Sequence, residues 1–122
     1  MKSQICYASL AVYAKYDRAA ELLDFMGGAP TLTGERGGGF SYIYSTRGVF
    51  DSVSPEEHVE YIKDKFYGST EFLSRLFGEG CEMRVWVFFE VSEENRAVVL
   101  DQGFIEWMSS FGADLCIDVW RS

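Results

Sequence analysis

The stretch EMRVWVFFE, Glu82 to Glu90, sets Met83, Val85, Val87 and Phe89 on one side of an extended chain and Arg84, Trp86, Phe88 and Glu90 on the other. A helix would scatter both sets around its circumference, so the alternation specifies a strand. Trp86 and Phe88 make this strand apolar on much of both faces, which is the pattern of an interior strand. The rest of the fold has to be arranged around it.

Three other segments read as strands. Ile5 to Tyr13 (ICYASLAVY) alternates, Phe40 to Thr46 (FSYIYST) is aromatic and β-branched, and Leu115, Ile117 and Val119 mark DLCIDVW near the C-terminus. Residues 95–100 offer a short extended piece. Between the strands lie helices. Asp17 is an N-cap before RAAELLDFM, whose Ala19, Leu22, Leu23 and Met26 share a face, and Gly27 ends it. Ser54 and Glu57 form a capping box with Pro55 at the first helical position; the stripe Val59, Ile62, Phe66, Leu73, Leu76, Phe77 follows, with Gly68-Ser69 as a kink or break. Asp101 caps a last helix with Phe104, Ile105, Met108 and Phe111 inward, stopped by Gly112. The 122 residues therefore make one α+β domain, residues 1–122. It has a mainly antiparallel sheet of about four strands with three interleaved helices, a split βαβ-like arrangement with the long middle helix inserted.

Several chemistries are disfavoured at once. The glycine-rich stretch Gly27 to Gly39 runs helix, loop, strand, whereas phosphate-cradling loops run strand, loop, helix so that a positive helix end meets the anion. It reads as a connector, with left-handed φ at Gly27 or Gly28. Cys6, Cys81 and Cys116 are odd in number and widely spaced, and His58 is the single histidine, so neither a disulfide framework nor a metal site is encoded and no cofactor is expected. His58 lies among Glu56, Glu57, Glu60 and Asp64 and reads as a solvated helix residue. With one histidine and no nucleophile elbow, the chain does not read as an enzyme. A net charge of −8 opposes nucleic acid and favours a basic protein partner. No run is long and apolar enough for a membrane span and the N-terminus does not read as a signal peptide, so a cytoplasmic location is expected.

The residues least explained by packing alone are aromatic. One face of the strands gathers Tyr7, Tyr13, Trp86, Phe88 and Trp120 with Arg84, Glu90 and Asp118 beside them, while the pleat of Tyr42 and Tyr44 stays open. Two arrangements are consistent with this: an exposed interface rich in Tyr, Trp and Arg, or a face covered by the middle helix.

AAELLDFMGGAPT followed by GERG, the passage SPEEHVEYI, and the C-terminal FIEWMSSFGADLCIDVW together resemble the bacterial Domain of Unknown Function 4279 family across nearly the whole chain. The resemblance implies an α+β fold and transfers no catalytic residue; the triple glycine, and Tyr42 and Tyr44 in place of a tryptophan, depart from its pattern. A small acidic domain of this physical type fits an immunity protein, a non-catalytic binder that neutralises a basic bacterial toxin domain. Glu56, Glu57, Glu60 and Asp64, with Glu90, Glu93 and Glu94, would steer the partner, and Tyr7, Tyr13, Trp86 and Trp120 would anchor it. The alternatives are a binder of a small apolar or aromatic ligand between helix and sheet, and an enzyme of another kind.

Overall fold

A computed structural model describes residues 5–27, 31–36, 39–91 and 97–121. In chain order they form β1 (Cys6–Ala14), α1 (Ala19–Phe25), β2 (Thr31–Arg36), β3 (Gly39–Ser45), α2 (Pro55–Phe66), α3 (Thr70–Gly78), β4 (Glu82–Val91), α4 (Gln102–Ser110) and β5 (Asp114–Arg121). The strands make one sheet in the order β2-β3-β1-β4-β5. Neighbours are antiparallel except β4 and β5, which are parallel and joined through α4. The α+β class and the mainly antiparallel sheet are as expected. β3 and β4 run parallel with β1 between them and α2–α3 connecting them, which is the split βαβ arrangement. β4 is interior, and β1 is the central strand.

The fifth strand is the correction. Thr31–Arg36 lies inside the stretch expected to be only a connector, and it pairs with β3 from Thr31 opposite Tyr44 to Arg36 opposite Gly39. Its own pattern, TLTGER, is weak; the antiparallel partner β3 supplies the ladder that propensity does not. Gly27 takes the left-handed φ of 76° expected there, while Gly28, Pro30, Gly37 and Gly38 lie outside the described residues. Residues 97–100 are irregular rather than extended, and Asn95 and Arg96 are outside the description.

Local signals place the helices. At α1 the cap position falls to Arg18 rather than to Asp17, and Asp17, one residue earlier, still accepts from Ala19 N–H at 2.9 Å. At α2 the Ser54 hydroxyl accepts from Glu57 N–H, and the Glu57 carboxylate closes the box indirectly, through the Ser52 hydroxyl that receives Ser54 N–H. The middle helix is divided at Gly68-Ser69, where Tyr67–Ser69 form one 3₁₀ turn between α2 and α3. In α4 the buried set is Phe104, Trp107 and Met108, continued by Phe111; Ile105, expected inside, is half exposed. Spacings of three, four and seven from Phe104 select Trp107, Met108 and Phe111, so the helical period favours Trp107 over Ile105.

All four α-helices contribute to a single core against one face of the sheet. Leu22 of α1, Val59, Ile62 and Phe66 of α2, Leu73 and Leu76 of α3, and Phe104, Trp107 and Met108 of α4 meet Ala8, Leu10, Val12, Tyr42, Tyr44, Met83, Val85 and Val87. Tyr42 and Tyr44 therefore belong to the helix-covered pleat. The Phe66 ring meets Tyr44 edge-on at 5.3 Å. Gly112 has φ 75°, and a Cβ there would stand 2.5 Å from the Phe77 ring, so this glycine both turns the chain and seats the aromatic. Arg18, Glu21, Arg75 and Glu79 form a closed surface network between α1 and α3.

His58 is not solvated; it is completely buried. Its Nε2 lies 2.7 Å from the Ser52 carbonyl and its Nδ1 2.7 Å from Thr46 Oγ1, which accepts from Ala8 N–H at 2.9 Å. A carbonyl only accepts, so Nε2 carries a proton and Nδ1 accepts from the Thr46 hydroxyl. The acidic neighbours in sequence misdirect the eye. Pro55, His58, Val59, Ile62 and Phe66 fall on one helical stripe, and that stripe faces the sheet.

His58→Ala strands the Thr46 hydroxyl and the Ser52 carbonyl in the core, and urea unfolding is expected to show a loss of about 2–4 kcal/mol. An exposed change such as Asp64→Asn is expected to stay within about 0.5 kcal/mol. A second expectation concerns alkali. Burial, with the Tyr61 hydroxyl beside it, pushes the Tyr44 phenol up to about 12, and burial also raises Tyr42. The unfolded chain ionises its tyrosines near ~10, so the stability held by the neutral phenols is whole below that pH and is lost as pH climbs through about 12. Tyr44→Phe should flatten the fall in unfolding free energy across that window; an unchanged slope would contradict the assignment.

Candidate functional site

With the helices gathered on one face, no described helix covers the other. Alternation along the strands brings to this open face Tyr7, Ser9, Ala11 and Tyr13 from β1, Ser41, Ile43 and Ser45 from β3, Arg84, Trp86, Phe88 and Glu90 from β4, and Asp114, Cys116, Asp118 and Trp120 from β5. The expectation that the middle helix would bury the aromatics is thus set aside in favour of an exposed arrangement.

The aromatics are ordered. Tyr7 and Phe88 are directly opposed across β1 and β4, and their rings stack at 4.5 Å with 21° between planes. Phe88 in turn stacks on Trp86 at 5.8 Å and 14°. Arg47, in the turn after β3, lies over the Tyr7 ring at 5.1 Å. The indole N–H of Trp86 donates to the Tyr13 hydroxyl at 3.2 Å, and Arg84 lies over the Tyr13 ring at 5.3 Å. Ser9, opposite Trp86, and Ala11, opposite Arg84, are buried beneath these longer neighbours. The result is a row of three near-parallel rings, Tyr7, Phe88 and Trp86, extended by Tyr13 through its hydrogen bond to Trp86, with Arg47 over Tyr7 at one end and Arg84 over Tyr13 at the other. Its ring faces are largely turned on one another, so it presents edges, hydroxyls and cations outward. A surface for stacking bases keeps its ring faces free; in this row they are turned on one another.

Carboxylates border the row. Glu82, Glu90, Asp114 and Asp118 share the open face with Arg84, and only the Glu82 carboxylate approaches that guanidinium, at 3.9 Å. Of the residues singled out in the sequence, Tyr7, Tyr13 and Trp86 converge here. Trp120 is on the same face beside Glu90, beyond the stack, and is half exposed. Glu56, Glu57, Glu60 and Asp64 lie on α2, in the layer across the sheet. Three of them have local partners: Glu56 accepts from Val99 N–H, Glu57 from the Ser52 hydroxyl, and Glu60 is 3.7 Å from Lys63. Glu93 and Glu94 lie outside the described residues. Arg47 was not legible, because its place over Tyr7 depends on the register of β1 and β3, which are far apart in sequence.

Other chemistry is sparse. His58 spends both ring nitrogens inside the core, and burial pushes the Cys81 thiol up, away from thiolate. Among the described residues no group of three or more His, Cys, Asp or Glu side chains could hold a metal ion, and no helix is long and apolar enough to cross a membrane. A groove of 420 Å³ runs between α4 and the junction of α2 with α3, lined by Lys63, Tyr67, Thr70, Glu106 and Trp107. The Trp107 indole nitrogen is buried with no partner among the described residues.

The order in the aromatic row is open to measurement. Tyr7→Ala and Phe88→Ala, made singly and together, should show a coupling of about 0.5–1.5 kcal/mol in unfolding free energy. Additive effects would mean that the two rings do not stack in solution.

The comparisons with known proteins are few. No curated protein and no solved structure matches the chain. A family model described as Domain of unknown function (DUF4279) matches residues 4–122, the whole of both the helix-covered core and the open aromatic face. The chain belongs to the DUF4279 family.

Proposed function

We propose that the chain is a non-catalytic binding protein of immunity type, which neutralises a basic bacterial toxin domain in the cytoplasm by docking it on the open face of the sheet. The observation that carries this reading is the row Tyr7, Phe88, Trp86, Tyr13 with its guanidinium ends, an aromatic surface already held in place by stacking and by the Trp86–Tyr13 hydrogen bond. Rings ordered before binding lose little freedom on docking, which favours affinity. Carboxylates rim the same face, and the net charge of −8 extends attraction to a basic partner beyond contact range. The acids of α2 act in that long-range field, and the aromatics act at contact. The lone histidine and the buried thiol are both committed to the core, which supports a role without catalysis.

One observation favours a second reading. The helical groove lined by Trp107 has a volume typical of small-molecule sites.

Kinetics with the purified product of the adjacent gene test the first reading. An equimolar complex is expected, with an association rate that falls about tenfold or more as salt is raised from low to physiological levels. Glu56→Lys with Glu60→Lys should slow association, and Trp86→Ala should mainly speed dissociation, by about tenfold or more. Absence of binding at micromolar concentration in low salt, or charge reversals without effect on association, would remove the immunity reading and leave the groove as the place to search.

A further inference from the structure

β5 closes one end of the sheet. Among the described residues no strand pairs with its outer edge, so a row of backbone donors and acceptors eight residues long faces outward. Natural edges are commonly blunted by lysine, proline, a bulge or a covering segment. DLCIDVWR has neither lysine nor proline, its charged residues are Asp114, Asp118 and Arg121, and its register with β4 runs unbroken from Asp114 to Arg121. Half-exposed apolar side chains lie along it, Ile117 at 50% and Val119 at 52% on the helix side and Trp120 at 48% on the open side, interspersed with the charged Asp118 and Arg121.

We propose that β5 is a self-pairing edge, which joins to β5 of a second copy in antiparallel fashion and makes one continuous ten-stranded sheet about a two-fold axis. The occupant follows from register. In an antiparallel pair, directly opposed residues lie on the same face of the sheet. Even-numbered residues, which are on the open face, must therefore meet even-numbered ones, and odd must meet odd, so the axis passes through a residue. Centred on Asp118, it sets two Asp118 carboxylates against each other; centred on Cys116, it sets Asp114 against Asp118 twice. Both are like-charge oppositions, which destabilise a sheet. Centred on Val119, the overlap shrinks to the last few residues. Centred on Ile117, no carboxylate directly opposes another. Ile117 then meets Ile117, Leu115 meets Val119 and Val119 meets Leu115, which makes the half-exposed apolar strip complementary to itself; on the open face Cys116 meets Asp118, and Asp114 meets Trp120.

Two opposing effects set the strength. One strand pair buries less than the ~1,200 Å² at which specific interfaces begin, so the dimer is weak. Each copy carries −8, so approach is unfavourable until salt shortens the screening length to about 8 Å or less. Salt therefore promotes self-association, opposite to its effect on binding a basic partner. This inference stands apart from the function proposed above: loss of either leaves the other intact.

Sedimentation velocity on the full chain at rising protein and salt concentration tests it. A monomer–dimer equilibrium that moves toward dimer with salt is expected. Ile117→Lys, at a half-exposed position the fold tolerates, should abolish the dimer with melting unchanged. The register has its own test. In a Cys116→Ser background, Ile117→Cys places two thiols directly opposite, with Cα atoms about 4.5–5.5 Å apart, within disulfide reach. Val119→Cys places them about 14 Å apart, counting four residues along the strand. Rapid disulfide-linked dimer from the first variant and not the second is the expected result. A chain that stays monomeric at about millimolar concentration in high salt, an Ile117→Lys variant that still dimerises, or equal cross-linking of the two cysteine variants would overturn the proposal.

Discussion

A relay of hydrogen bonds through a completely buried histidine ties the layers of this protein together. Ala8 N–H, the Thr46 hydroxyl, the His58 ring and the Ser52 carbonyl connect the central strand, the end of β3, the loop that follows it and the first turns of α2. Every polar atom of this relay has its partner, so the histidine is accommodated in an apolar interior without the penalty of an orphaned donor or acceptor. It also sets the rotation of α2. With His58 held against Thr46, Val59, Ile62 and Phe66 have one face to meet, and the other three helices join the core so formed.

The open face follows from that commitment. A sheet with all its described helices on one side leaves the other free of a described helical cover, and an antiparallel sheet tolerates this when that face carries polar groups or small residues between larger ones. Here the small residues are Ser9 and Ala11 on the central strand, and the aromatics lean across them from either side. Tyr7, Phe88 and Trp86 are thus shaped by contact with each other rather than with the core.

Much of this was legible in the sequence, and the parts that were not have physical reasons. Glu82 to Glu90 showed its strand and its interior position because period two is a local property. The open-face set Tyr7, Tyr13, Trp86 and Phe88 followed from the same alternation. β2 escaped because an edge strand is stabilised by its neighbour more than by its own residues. His58 escaped because attention to its acidic neighbours outweighed the helical period that places it beside Val59 and Ile62. The same period identifies Trp107 over Ile105. The pleat of Tyr42 and Tyr44, and the meeting of Arg47 with Tyr7, depend on which strands pair and in what register, and neither is written in any local window.

The place of β1 bears on how the chain comes to be folded. Of the described strands, the one made first lies at the middle of the sheet, with Tyr7 opposite Phe88 and Ser9 opposite Ser45. Its first neighbour is complete only when Ser45 has been made, and its second only after Val91. At ~5–20 residues per second, β1 spends several seconds with one flank unmet. Pairings this distant require large loops to close before they are rewarded, so the order of synthesis and the order of the sheet together favour slow, late consolidation. A nascent chain of this design would benefit from shelter for β1 until Val91 has been made.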